Sequence, residues 1–203
     1  QYSLVINNDI EFKSYTTIKK LMEAADSNRN YAVLSPLIIN KGVPVKIFYH
    51  RPSILDIASG ELLSLIKFRF SKMPVSKLLS VYRAYGCCML VDNYQLSRIN
   101  FLDNNTFLYS EEEILAERLI SIGSKTGLIM NEMIEHYESV SVKKILSIWQ
   151  IIYYQSSSKK YYLEKYRKCN RIFTSLVIAS YMTVNFIKLL LKNIISRFYN
   201  GLF

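Results

Sequence analysis

The chain has 203 residues, half of them hydrophobic and 21% charged, and a formal net charge of +10. This hydrophobic content excludes an intrinsically disordered chain, and the length suffices for one sizeable core or two small domains. Three cysteines, two of them adjacent, and two histidines offer neither a disulfide framework nor the ligand spacing of a zinc site. Composition therefore predicts a globular protein without a metal or cofactor.

The excess positive charge lies in the last third of the chain. Residues 1–138 contain 15 basic and 15 acidic side chains, whereas residues 139–203 contain 11 basic side chains and a single acidic one, Glu164. Such asymmetry favours a polyanionic partner, either nucleic acid or an anionic membrane surface. A solvated basic face without a partner is the alternative that charge alone leaves open.

The first 105 residues show short apolar runs alternating with amphipathic stretches. Strands are predicted at Tyr2–Ile6, 31–34, 45–49 and 87–91, and helices from Ser14, at 53–70 and at 75–85. Strands that alternate with helices are typical of an α/β layer with parallel pairing. We therefore predict a small α/β sensing or dimerisation domain over residues 1–105.

From residue 110 onward the pattern is helical. Ser110 and Glu113 have the spacing of a capping box, and further helices are predicted at 130–137, from Ser139 or Ser141 onward, at 161–171 and at 172–198. The uncharged run 172–187 is shorter than the roughly 20 residues that a spanning helix needs, which favours a buried helix. An interfacial helix that binds anionic lipid is the alternative. Residues 110–203 are thus predicted to form an all-α, basic domain.

A short helix, a turn and a capped helix over residues 127–154 have the outline of a helix-turn-helix. This motif places its second helix in the major groove, where the first residues contact bases and phosphates. Serine, lysine and glutamine provide suitable chemistry for these contacts. The predicted DNA-contacting residues here are Ser141, Lys143, Lys144, Ser147 and Gln150.

This segment resembles the helix-turn-helix of LuxR-type bacterial transcription regulators. Gly127-Leu128 and Asn131-Glu132-Met133-Ile134 stand where that family has a Gly-Leu pair and the start of its scaffold helix. Ser141-Val142-Lys143-Lys144-Ile145 stands where the family opens its recognition helix. The resemblance implies that Ser141 caps this helix and that Lys143 and Lys144 contact DNA.

A second basic element follows, in which lysines and tyrosines interleave. Its candidate phosphate contacts are Lys159, Lys160, Lys165, Arg167 and Lys168. The tyrosines could stack on unpaired bases, or they could bury their rings beneath the aliphatic stems of the lysines.

The sequence shows no recognisable catalytic motif. His50 and His136 have no serine, cysteine or aspartate motif beside them, and Cys87-Cys88 lies in an apolar run. There is no Gly-rich nucleotide-binding loop. These observations predict a protein that is not an enzyme.

The resulting hypothesis is a cytoplasmic, bacterial-type transcription regulator that binds double-stranded DNA through a helix-turn-helix, with homodimerisation open. The competing hypothesis is a non-enzymatic protein-interaction or membrane-surface module, whose basic C-terminal helices bind anionic lipid or a partner protein.

Overall fold

The computed structural model describes residues 1–63, 66, 76–137 and 146–200, with side chains given through Leu191. Within this part of the chain, seven strands form one mixed sheet: β1 (Tyr2–Ile6), β2 (Ile10–Phe12), β3 (Tyr31–Asn40), β4 (Val43–Pro44), β5 (Leu78–Val81), β6 (Cys88–Asp92) and β7 (Lys125–His136). The main order is β1-β6-β3-β7-β2, while β4 pairs with β3 and β5 with β7.

Strand direction determines where a ligand can be bound. β6 is antiparallel to both β1 and β3, and β3 is parallel to β7. As a result β1, β3 and β7 point the same way, and their carboxyl ends lie at one edge of the sheet. Open α/β sheets bind ligands in the crevice outside that edge.

β7 is the longest strand and lies inside the sheet. Its outer side pairs first with β5 and then with β2. Opposite β3 its register shifts: Pro36 faces Ile129, but the next residue, Leu37, faces Met133. Residues 130–132 therefore form a bulge in β7.

Gly127 allows β7 to approach β3 closely. A Cβ at this position would lie 2.7 Å from Leu34 Cδ2 and 2.7 Å from Tyr31 Cδ1. A residue with a Cβ at this position would force the side chains of Leu34 and Tyr31 to shift.

Helices cover both faces of the sheet. They are α1 (Thr17–Ser27), α2 (Ile54–Ala58), α3 (Asn93–Arg98), α4 (Glu111–Ser121), α5 (Ile148–Lys165) and α6 (Arg171–Asn200). Neighbouring β3 residues point to opposite faces, so Leu34 packs with Leu21 of α1, whereas Val33 packs with Leu119 of α4.

The C-terminal helices attach to this core through a separate cluster. Ile57 of α2, Ile114 of α4, Tyr162 of α5 and Ile178 of α6 are buried together there. Ser180 also donates a hydrogen bond of 3.1 Å to Ala58 O.

Much of α6 faces outward. Ile172 and Leu176 are 80% and 66% exposed. Of an apolar stretch of 18 residues within Arg171–Leu191, only 11% is buried. In length and hydropathy, Arg171–Leu191 is sufficient to cross a membrane. The predicted helix at 172–198 is confirmed, but the expectation that its apolar run is buried is wrong.

The predicted fold class is wrong, because β7 belongs to the half that was expected to be all-α and because β6 runs antiparallel to its neighbours. The predicted helices at 75–85 and 130–137 contain β5 and the end of β7 instead. The second error has a local reason: burial alternates along residues 131–134, but Glu132 is buried and Met133 is exposed, so the apolar residues do not mark the buried face.

Other boundaries differ for local reasons. Pro36 does not end β3, since it lies at the register shift, where a strand tolerates proline. The run 45–49 forms a single bridge, between Phe48 and Arg83, rather than a strand. Ser110 precedes α4 but makes no side-chain capping bond. β1 and β6 are confirmed as strands, and the division of the chain near residues 105–110 stays a prediction, although strands from both sides share one sheet.

Candidate active site

An aspartate and a histidine meet at the carboxyl edge of the parallel strands. Asp9 lies in the turn between β1 and β2, and His136 is the last residue of β7, paired in register with Ile10. His136 Nε2 lies 3.3 Å from Asp9 Oδ1. This Oδ1 is buried and makes no aligned hydrogen bond within the described residues. The two atoms are therefore close to each other but form no hydrogen bond.

This pair suits a divalent cation. A carboxylate oxygen and an imidazole nitrogen are ligands that Mn²⁺ and similar ions accept. Groups of three or more candidate ligand side chains do not occur in the described part of the chain. Asp9 and His136 would therefore supply two ligands, and substrate oxygens or water would complete the coordination.

A carboxylate from α4 approaches the same edge. Glu112 Oε1 accepts a 3.1 Å hydrogen bond from Gly86 N–H, and its Oε2 lies 3.8 Å from Arg83 Nη1. The Glu112 side chain is 26% exposed, so substrate can reach it.

Cys87 connects the two groups. Its carbonyl accepts a 3.0 Å hydrogen bond from Asn7 N–H, next to the Asp9 turn. Burial, and then the neighbouring Cys88, Glu112 and Asp9, raise the pKa of the Cys87 thiol to about 12. Gly86, which donates to Glu112, directly precedes Cys87, which accepts from Asn7, so these two hydrogen bonds bring Glu112 and the Asp9 turn to the same edge of the sheet.

Glu113 differs from its neighbour Glu112. It is buried, with Lys159 Nζ at 2.8 Å and Arg83 Nε at 3.8 Å. Burial alone would raise its pKa, but these two cations lower the pKa of Glu113 to about 2. Glu113 is thus fixed as a structural carboxylate, whereas Glu111 and Glu112 are accessible from solvent and available for chemistry.

A cavity of about 250 Å³ opens beside Glu112. Its wall includes Glu111, Tyr109, Gln155 of α5 and Tyr181 of α6. Burial, followed by the proximity of Glu112 and Glu113, raises the pKa of Glu111. The C-terminal helices thus form part of a cleft that contains the carboxylates of Glu111 and Glu112.

The predicted helix-turn-helix is wrong, because its first helix is the strand β7. Ser141, Lys143 and Lys144 lie outside the described residues. Ser147 and Gln150 form the capping box of α5: Ser147 Oγ accepts from Gln150 N–H at 3.3 Å, and Gln150 Oε1 accepts from Ser147 N–H at 2.8 Å.

The second basic element does not form one charged face. Lys159 is buried against Glu113, and Arg167 Nη1 donates to Pro52 O at 2.9 Å and to Tyr162 Oη at 3.1 Å. Lys160, Lys165 and Lys168 are exposed. Two of the five predicted phosphate contacts therefore have partners inside the fold.

Sequence reasoning missed Asp9, Glu112 and His136 as a group. The predicted helix at 130–137 contains His136, and no motif in the sequence points to Asp9 or Glu112. One available signal was a polar run, Asn7-Asn8-Asp9, directly after an apolar strand, which is where α/β sheets carry their ligand-binding residues.

Comparison with known proteins finds similarity to glycosyltransferases, of which one curated protein and one solved structure are described here, while no family model matches the chain. The low-salt glycan biosynthesis hexosyltransferase Agl10 of Haloferax volcanii is 30% identical over 110 residues, which cover 54% of this chain and 33% of that protein. A crystal structure of GalNAc-T7 with UDP, GalNAc and Mn²⁺ aligns with a TM-score of 0.55 at 10% identity, covering 82% of this chain and 32% of that one. The chain spans about a third of the length of each.

The structural match shows a fold shared with part of a glycosyltransferase. Together the two matches overturn the LuxR-type regulator, the non-enzymatic character and double-stranded DNA as the partner. The alternative of a non-enzymatic interaction or membrane-surface module is not supported either.

Proposed function

We propose that this chain contributes catalytic residues to a glycosyltransferase that uses a nucleotide-sugar donor and a divalent cation. The observation that carries the proposal is the placement of Asp9, His136 and Glu112 at one edge of the sheet. The matches support it, since one relative is named a hexosyltransferase and the structural neighbour was solved with UDP, GalNAc and Mn²⁺.

The chemistry requires a base and a stabilised leaving group. An acceptor hydroxyl oxygen bonds to the anomeric carbon of the donor, the bond from that carbon to the diphosphate breaks, and the electron pair leaves with the nucleoside diphosphate. Glu112 takes the hydroxyl proton as general base. Asp9 and His136 would hold the cation, which when bound neutralises charge on the leaving diphosphate.

The cation site is tested by titrating the whole chain with MnCl₂ in a calorimeter. We expect Asp9→Asn and His136→Gln each to weaken Mn²⁺ binding by about tenfold or more, because each removes a direct ligand. Asp26→Asn, an exposed carboxylate on α1, is the matched control and should bind like the wild type. Equal affinities in all four proteins would reject the site.

The base is tested by measuring UDP release from a panel of UDP-hexoses with sugar acceptors. Glu112→Gln should lower kcat by about 10²–10⁴-fold, the usual contribution of a general base, and leave Mn²⁺ affinity unchanged. Glu23→Gln, on an exposed face of α1, is the control. Full turnover by Glu112→Gln would show that the base lies elsewhere.

A further inference from the structure

The cations in the wall of the cavity are already neutralised. Lys159 Nζ lies 2.8 Å from Glu113 and 3.8 Å from Glu61, and Arg83 lies 3.8 Å from both Glu112 and Glu113. The side chains of Lys159 and Arg83 are 8% and 10% exposed. A phosphate or carboxylate entering the cavity would have to compete with these carboxylates for both cations.

Carboxylates outnumber cations along the wall. Four line it, Glu61 and the three of the 111–113 run, against Arg83 and Lys159. Lys46 approaches Glu61 at 3.1 Å, and Lys188, which donates to Gly60 O at 2.7 Å, also lies near it, so the excess of carboxylates is confined to the 111–113 end of the wall. Glu111 lines the cavity with Glu112 and Glu113, and burial first, then these two carboxylates, raise the pKa of Glu111. The cavity is therefore an unfavourable place for an anion.

The rest of the wall suits neutral hydroxyl groups. Tyr109 and Tyr181 provide flat rings with hydroxyls, and Gln155 Oε1 accepts a 3.4 Å hydrogen bond from Tyr181 Oη. Carboxylate, amide and phenol groups together can both accept from and donate to sugar hydroxyls. A volume of about 250 Å³ lies near the lower end for ligand pockets and has room for one ring rather than a chain.

On this basis we propose that the cavity between α4, α5 and α6 binds the acceptor as a neutral, hydroxyl-rich sugar ring and excludes phosphorylated or carboxylated rings. The inference rests on the proposed function, because it places the accepting hydroxyl beside Glu112. It assigns α5 and α6 a role in acceptor recognition through Gln155 and Tyr181.

The experiment is saturation-transfer NMR on the 203-residue chain with UDP and MgCl₂, whose diamagnetic cation does not broaden the ligand signals. The neutral probes are the methyl α-glycosides of glucose, mannose and galactose, and the anionic probes are glucose 6-phosphate and glucuronate. We expect at least one neutral glycoside to bind and both anions to bind roughly tenfold more weakly, since like charges in a cleft disfavour the partner. Absence of binding by all three glycosides, or equal binding of the anions, would overturn the proposal.

Two variants make the result specific. Glu111→Gln removes one negative charge, so it should narrow the gap between anionic and neutral probes while Glu23→Gln does not. Tyr181→Ala should abolish the saturation-transfer signal of the neutral glycosides. If Tyr181→Ala fails to fold, Glu111→Gln still tests the proposal. If Glu111→Gln leaves the difference in affinity between anionic and neutral probes unchanged, the carboxylates are not what excludes the anions, and the proposal is contradicted. Failure of the proposed function would give a different result: the wild-type chain would bind no Mn²⁺ or release no UDP, while the glycosides would still bind.

Discussion

At the scale of single residues, the structure separates charges that fold the chain from charges that are available for chemistry. Lys159 and Glu113 are 2.8 Å apart and both nearly inaccessible. Removing two ions from water is costly, and their mutual attraction offsets that cost only while both are present. Losing one partner therefore leaves an uncompensated buried charge.

Lys159→Met should lower the free energy of unfolding by about 3–5 kcal/mol, the usual effect of breaking a buried pair. Lys160→Met is the matched control: its side chain is the exposed neighbour, and we expect a change within about 0.5 kcal/mol. Urea denaturation at neutral pH measures both. The double variant Lys159→Met, Glu113→Leu should recover most of the loss, and equal destabilisation by the two lysine variants would contradict a buried ion pair.

Acid should destabilise the protein through the same pair. The pKa of Glu113 falls from 4.5 to about 2 on folding, so its stabilising contribution is complete above pH 4.5 and is lost as the pH falls toward 2. Asp103 contributes to the same loss of stability at low pH. Burial opposes its ionisation, yet hydrogen bonds from Tyr166, Asn105 and Tyr161 lower the pKa of Asp103 to about 2. Unfolding free energies measured across this interval should fall less steeply in the double variant than in the wild type. Equal slopes would exclude Glu113 as a contributor.

Local composition could not have revealed these roles. The cluster of lysines after residue 158 is visible in the sequence, and it suggested a phosphate-binding face. Whether a lysine points outward, as Lys160 does, or inward, as Lys159 does, depends on Glu113 being folded against it from 46 positions earlier. The charge count was correct, but charge alone does not specify what each cation contacts.

At the scale of elements, β7 accounts for the main prediction error and for most of the site geometry. β1, β6 and α6 could be predicted, because short apolar runs and a long uncharged stretch have few alternative structures. β7 could not, since its second half buries Glu132 and Glu135 and exposes Met133, so its apolar residues do not show the alternation of a strand. Assigning residues 130–137 to a helix then hid the fact that His136 ends a strand.

Close packing of β7 against β3 should make position 127 intolerant of any side chain. We expect Gly127→Ala to destabilise the protein by about 1–3 kcal/mol, because the new methyl group overlaps Leu34 and Tyr31 at 2.7 Å. Lys125→Ala, at an exposed position of the same strand, is the comparison. Thermal or urea unfolding distinguishes the two, and a neutral Gly127→Ala would mean that the Leu34 and Tyr31 side chains can move aside without cost.

At the scale of the whole molecule, the site is assembled from distant parts of the chain. His136 follows Asp9 by 127 residues, and Glu112 comes from a helix between them. No local motif joins these residues, so the sequence read in short windows predicted neither the site nor catalysis. Only the shared direction of β1, β3 and β7 brings them to one edge.

This assembly predicts a gradient of local stability. Amides in the middle of β3 and β7 are hydrogen-bonded within a sheet that is covered on both faces, so their hydrogen exchange should require global unfolding. Amides of the short strands β2 and β4 should exchange faster, through local opening. Native-state hydrogen exchange followed by mass spectrometry measures both, and β3 exchanging as fast as β2 would contradict the proposed core.

Because of the bulge at residues 130–132, the site depends on whether the number of residues between the bulge and the end of β7 is odd or even. Side chains alternate along a strand, so the count of residues between the bulge and the end of β7 decides which face His136 occupies. Removing one residue from that interval would bring a neighbour toward Asp9 and turn the imidazole away, whereas removing two would preserve the face. In related or engineered chains, the parity of this interval is therefore a stronger constraint on keeping the Asp9–His136 pair than the identity of the residues within it.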